Sequence, residues 1–242
     1  MNKEKEYRPR LSEDEMELIR SYRNNSEGNV LVIGDLHEPF CLDGYFEFVK
    51  EQYERYNCDT VVFIGDIVDN HYSSYHEQDP DGFSAGQELE RAIERLKKWH
   101  DAFPNAYVTI GNHDRMMMRK AYSSGMSKRW IKDYKDVLEV PTWKFVDEIN
   151  IHGVTYVHGE GGTARTRVKQ ELESIVQGHL HTQAYVEWTV GARHRCFAMQ
   201  VGCGIDRHAY AMAYAKAGKK PIIGCGVVLN KGKQPISLTM EL

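Results

Sequence analysis

Seven side chains able to ligate a metal recur in short motifs along this 242-residue chain. They are Asp35 and His37 in Asp-Leu-His, Asp66 in Gly-Asp-Ile-Val-Asp, Asn112 in Gly-Asn-His-Asp, His158 in His-Gly, and His179 and His181 in Gly-His-Leu-His. Together they offer carboxylate, amide oxygen and imidazole nitrogen but no thiolate, a set suited to Mn²⁺, Zn²⁺ or Fe rather than to a cysteine-held structural zinc. If all seven bind, only Asp35 and Asp66 bring negative charge, so a pair of divalent cations stays cationic after ligation. Such a centre attracts a phosphate anion, supplies hydroxide near neutral pH and clamps attacking and leaving oxygens when the ions lie roughly 3.5–4 Å apart.

Each motif must be delivered by an element, and each comes after a short apolar, β-branched run: 30–33, 61–64, 107–110, 154–157 and 174–177. Runs of this length and composition read as buried strands. The motifs then lie just past strand C-terminal ends, where open α/β sheets place their sites. A lone Asp-x-His or His-x-His is weak and is often a solvated loop; five motifs in order make a joint reading. Asp69 and Asp114 have a blander alternative, since an acidic residue at a strand-to-helix turn is often only a helix cap. His71, His76, His100, His152, His194 and His208 carry no motif and read as structural or exposed.

These residues resemble the calcineurin-like metallophosphoesterases, and the motifs span Asp35 to His181. The resemblance implies that Asp35, His37 and His181 hold one metal, that Asn112, His158 and His179 hold the second, and that Asp66 bridges. It implies that His113 contacts phosphate and protonates the leaving oxygen, with the Asp69 carboxylate orienting it. A carboxylate in that place sets an imidazole's tautomer and raises its basicity. The expected cofactors are two divalent ions, Mn²⁺ first, with Zn²⁺ or Fe as alternatives. The expected architecture is an α/β fold, a four-layer αββα sandwich of two mixed sheets flanked by helices.

Substrate contacts are read outside the motifs. Arg115 stands directly after the third motif, and Gly161-Gly162-Thr163 leads into Arg165, Arg167 and Lys169, which could bring cations and a helix N-terminus to a phosphate. His208, with Arg207, Tyr210 and Tyr214, lies beyond Gly202-Cys203-Gly204, where the family commonly returns a loop toward the metals. Phosphoprotein phosphatases of the family carry Arg-Gly after the second motif and Glu after the third; here Asn70-His71 and Asp114 stand there. DNA-repair nucleases of the family usually carry His where Asp69 stands. The reading is therefore a phosphoesterase in which a metal-bridging hydroxide attacks a phosphodiester of DNA or of a nucleotide. Alternatives are a phosphomonoesterase acting on a nucleotide or phosphoprotein, and a non-catalytic module that holds a phosphate ligand.

Composition is consistent with one large α/β domain: 41% hydrophobic residues can bury a full core. No long apolar run or signal-peptide pattern is present, so a cytoplasmic protein with no membrane partner is expected. The net charge of −4 argues against a generally basic nucleic-acid surface, leaving a local groove open to DNA. Cys41, Cys58, Cys196, Cys203 and Cys225 lack metal spacing and read as reduced core thiols. Residues 1–28 read as a charged helical extension opened by a Ser12–Glu15 capping box, and 29–242 as the metallophosphoesterase domain. Helices are expected from Tyr45 and after Ser84, the loop at 79–82 is a candidate wall or lid, and strands are expected at 144–151, 154–157, 184–190, 195–201, 222–229 and 236–240 as a second sheet.

Overall fold

The structure, a computed structural model, describes residues 28–73, 81–209 and 220–241. The expected Ser12–Glu15 helix start, His76, Asp79 and Pro80 of the 79–82 loop, and Tyr210 and Tyr214 lie outside the described residues. The first sheet has six strands. In it β1 (Val30–Ile33), β2 (Thr60–Phe63), β3 (Tyr107–Thr109) and the edge strand β4 (Lys144–Val146) run parallel, and β10 (Gly224–Leu229) and β11 (Gln234–Thr239) extend it antiparallel beside β1. The second sheet has five strands. In it β6 (Val154–Val157), β7 (Ser174–Gln177) and β9 (Arg195–Val201) are parallel, flanked by antiparallel β5 (Glu148–Ile151) and β8 (Ala184–Val190).

The two-residue period of a strand sorts the side chains into layers. Val30, Val32, Val62 and Ile64 face Tyr156, Val176, Phe197 and Met199 of the other sheet and form the core between sheets. Leu31, Ile33, Val61 and Phe63 face the opposite way, onto helices α1 (Tyr45–Arg55) and α2 (Ala85–Ala102). Helices α3 (Asn112–Ser123) and α4 (Tyr134–Val137) lie in the connection from β3 to β4. Helix α5 (Ala164–Glu171) covers the far face of the second sheet through Ala164 and Val168 against Ile175 and Ala198. The result is the expected αββα layering. Helix α2 starts in the expected capping box, with Ser84 N–H donating to Gln87 Oε1 at 3.1 Å and the Ser84 hydroxyl accepting from Gln87 N–H. Its Trp99 is fully buried, and truncating that ring to alanine is expected to cost about 3–5 kcal/mol.

Two expectations need correction. The 144–151 run is not one strand: at Asp147 the chain leaves β3 in the first sheet and β5 pairs with β6 in the second. Nor does the β-rich second half form a sheet of its own, because β4, β10 and β11 complete the first. Each edge thereby gains a partner that a single uninterrupted strand could not supply. The five cysteines are buried and unbridged, and among the described residues no helix is long and apolar enough to cross a membrane.

Candidate metal centre

Strands β1, β2 and β3 end on one side of the inter-sheet core, and β6 and β7 end facing them. Their C-terminal loops bring the motif residues together. Asp35, His37 and His181 form one group of converging ligand atoms, and Asp66, His158 and His179 a second, with the atoms of each group within 4.8 Å of one another. His181 Nε2 lies 3.1 Å from Asp35 Oδ2 and His37 Nε2 lies 3.0 Å from His181 Nε2. In the second group His158 Nε2 lies 3.3 Å from Asp66 Oδ2 and 3.0 Å from Asn112 Oδ1. Asp66 stands between the groups, its Oδ2 also 3.8 Å from His37 Nε2. Asp35, His37, Asp66 and His158 are buried, whereas Asn112, His113, His179 and His181 form a partly open rim.

The backbone is bent to make this floor. His37, Asp66 and His179 have φ of 51°, 48° and 67°, a left-handed conformation that non-glycine residues rarely adopt. Such strain persists only where surrounding structure overrides it. His113 N–H donates to Asp66 Oδ1 at 2.8 Å, and His179 N–H donates to Asp35 Oδ2 at 2.9 Å, so each carboxylate is aimed by another motif's backbone. Gly111 is required by close approach, since a Cβ there would run into the Asp66 carboxylate. Gly65, at φ 103°, leaves the space occupied by the His158 ring.

The donor set fits metal ligation. His37 Nδ1–H donates to Asp69 Oδ1 at 2.7 Å and His158 Nδ1–H donates to the Ile64 carbonyl at 2.9 Å. Both rings are thereby fixed with Nε2 turned toward the carboxylates, the orientation that partners outside a metal site impose on a ligating histidine. Asp35 Oδ1 is buried with no hydrogen-bond partner among the described residues, an acceptor that a cation would satisfy. Burial disfavours charge on both His158 and Asp66, yet Asp66 and Asp35 raise the His158 pKa against it and the neighbouring imidazoles lower that of Asp66. A pocket that binds protons this readily has the field to bind cations.

The chain matches the sequence model of the calcineurin-like phosphoesterases over residues 28–210. It belongs to the calcineurin-like phosphoesterase family. No curated protein matches it. Solved structures to which it is similar include vacuolar protein sorting 29 from Cryptosporidium parvum, at 14% identity over 86% of this chain and 87% of that one with a TM-score of 0.44. The E. coli phosphoesterase YfcE is similar at 14% identity over 87% and 99% with a TM-score of 0.42. The Pseudomonas putida nuclease MPE is similar at 13% identity over 84% of each chain with a TM-score of 0.37.

The expected pairing of Asp69 with His113 is present as an ion pair, and a main-chain hydrogen bond is added to it. The Asp69 carboxylate is held by His37, and its Oδ1 lies 3.7 Å from His113 Nδ1. His113 Nδ1–H donates to the Asp69 backbone carbonyl at 2.5 Å. A carbonyl only accepts, so the tautomer is still set, by main chain rather than side chain. Burial opposes charge on His113, but the carboxylates of Asp66 and Asp69 outweigh it and raise the pKa.

The residues expected to contact substrate carry ion pairs or hydrogen bonds of their own. Arg115 pairs with Asp147 at 2.7 Å and Glu160 at 3.1 Å. Arg165 pairs with Glu187 at 2.5 Å and lies 3.8 Å over the Tyr185 ring, while Arg167 pairs with Glu148 and Glu171. The α5 N-terminus is capped by Thr163, whose hydroxyl accepts from Thr166 N–H. His208 is exposed and accepts from Arg207.

Other residues matter more than their motifs suggested. Asp114 is buried and accepts three backbone N–H bonds, from Gly111 at 2.9 Å, Asp66 at 2.8 Å and Ile67 at 3.0 Å, stapling the second motif to the third. Glu38, beside His37, is buried and bound by Arg95 Nε at 2.5 Å and Trp99 Nε1 at 3.1 Å, tying the first motif to α2. Gln200 reaches the Gly178 carbonyl from β9, and Gln177 reaches the Gly162 carbonyl at 2.7 Å. A lone amide inside an otherwise apolar strand was the signal for both, because a buried polar group needs a partner.

Proposed function

We propose that the chain is a two-metal phosphodiesterase acting on DNA or a nucleotide. Asp35, His37 and His181 hold one divalent cation, Asn112, His158 and His179 the other, and Asp66 serves both; Mn²⁺ is the first candidate. The observation that carries this reading is the convergence of three Nε2 atoms on two buried carboxylates, with the Nδ1 atoms of His37 and His158 already committed elsewhere. When bound, the cations supply Lewis acidity and lower the pKa of a water enough for attack at neutral pH. The chain's own residues do the rest. The N–H groups of His113 and His179 hold the two carboxylates in place, and His113, its Nδ1 fixed by the Asp69 carbonyl, leaves Nε2 to pass a proton to the leaving oxygen.

The diester preference rests on the two residues after Asp69. Asn70 donates to the His113 carbonyl at 3.1 Å and His71 is buried, so neither position presents a guanidinium to a terminal dianion. With Mn²⁺ supplied, bis-nitrophenyl phosphate or single-stranded DNA is expected to be cleaved with higher kcat/KM than nitrophenyl phosphate or a phosphopeptide. A clear monoester preference overturns the diesterase reading. Asp66→Asn is expected to weaken both cations and His181→Ala mainly one; two tightly held equivalents in folded, active Asp66→Asn would refute the shared role.

A further inference from the structure

A cavity of about 360 Å³ lies beside the loops of the second and third motifs, and its walls are mostly apolar. Asn70 and Asp114 line it, and both belong to the loops that build the centre, so cavity and centre share a wall. Met117 and Met118 line it from α3, which begins at a proposed metal ligand. At 1.5 Å per helical residue, Met117 stands about 7.5 Å along the axis from Asn112, within reach of one bound nucleotide. Leu89 adds an apolar wall, and thioether side chains adapt well to the face and edge of a flat ring.

One group in this wall does not suit a purely apolar occupant. Glu88 is 4% exposed; its Oε1 accepts from His71 N–H at 2.7 Å and the carboxylate also draws on the Tyr72 N–H, while its Oε2 is buried with no well-formed hydrogen bond among the described residues. An unpaired buried carboxylate oxygen is costly and calls for a donor. We propose that this cavity receives the base of the nucleotide diester bound at the metal centre, and that Glu88 selects a base carrying an exocyclic amino group. The inference rests on the diesterase reading, and it adds the part of the substrate that the metals do not touch. Burial and the nearby Asp69 charge push the Glu88 carboxyl up to about 7, so the selection is read at pH 8, with the carboxylate ionised.

The test compares three nucleosides as inhibitors of bis-nitrophenyl phosphate hydrolysis by the full Mn²⁺-loaded chain: adenosine, purine riboside, which lacks the amino group, and inosine, which has a carbonyl in its place. A hydrogen bond to a charged acceptor predicts at least about tenfold tighter inhibition by adenosine than by purine riboside. Glu88→Gln keeps an acceptor for His71 and can turn an amide N–H₂ toward the ligand, so adenosine should lose its advantage and inosine should gain. Met117→Arg, at a half-exposed helix position, should weaken adenosine about tenfold and serves if the first variant fails to fold. Equal inhibition by adenosine and purine riboside, with hydrolysis intact, overturns the base pocket and leaves the diesterase reading standing. Calorimetric titration with the nucleosides needs no turnover: preferential adenosine binding without diester hydrolysis supports the pocket and overturns the reading of the reaction.

Discussion

Replacing Asp114 by alanine strands three backbone N–H donors in a buried place, those of Gly111, Asp66 and Ile67. Each buried donor left unpaired costs roughly 1–3 kcal/mol. Part of that is returned, because Asp114 is itself unfavourably charged: burial first, and the nearby Asp66 second, push its carboxyl up to about 6. A net loss of about 3 kcal/mol is expected, or a drop in Tm on the order of 6–12 °C for a domain of this size. Asp114→Asn retains at least one acceptor and should lose about half as much. Because the stranded donors include the backbone N–H of Asp66, the alanine variant should also bind metal more weakly than wild type. Denaturant melts at constant m-value, with metal content of the dialysed protein by mass spectrometry, measure both effects. An alanine variant within about 0.5 kcal/mol of wild type, with full metal content, would refute the argument that this carboxylate staples the two loops.

The same geometry sets three further outcomes. Asp69→Asn, which weakens the acceptor of His37 Nδ1–H, should lower metal affinity by about 10–100-fold, and unchanged affinity in a metal titration would show that the contact does not tune the ligand. His113→Ala should keep the metal while lowering turnover by about 10²–10⁴-fold, less for a nitrophenyl ester than for an alkyl diester; an equal loss for both would argue against proton donation. Glu88 titrates near 7 in the folded chain against an ordinary 4.5, held up by burial and then by Asp69. The folded state therefore holds this proton more tightly, and the stability it contributes is full below 4.5 and lost as the pH rises through 7. Glu88→Gln cannot ionise and should gain on wild type by about 2–3 kcal/mol between pH 5 and pH 8; parallel stability profiles for the two proteins would contradict it.

The motif residues and their placement were legible in the sequence because both depend on local pattern. An apolar β-branched run such as 30–33 makes a strand wherever it packs, and the residues after it emerge at that strand's end. Hence Asp35, Asp66, Asn112, His158 and His181 could be set at strand C-termini from the sequence alone, and the Ser84 capping box could be read from four residues. Pairing was not legible. Nothing in 144–151 marks Asp147 as the point where the chain changes sheets, because both halves alternate as strands and only the available edges decide which each joins. Nor could spacing reveal that Asp69 serves His37 through its carboxylate and His113 through its carbonyl, or that Asp114 accepts from residues 47 and 48 positions away. A side chain's type determines which bonds it can make, but which donor it meets is decided by the packing of distant segments.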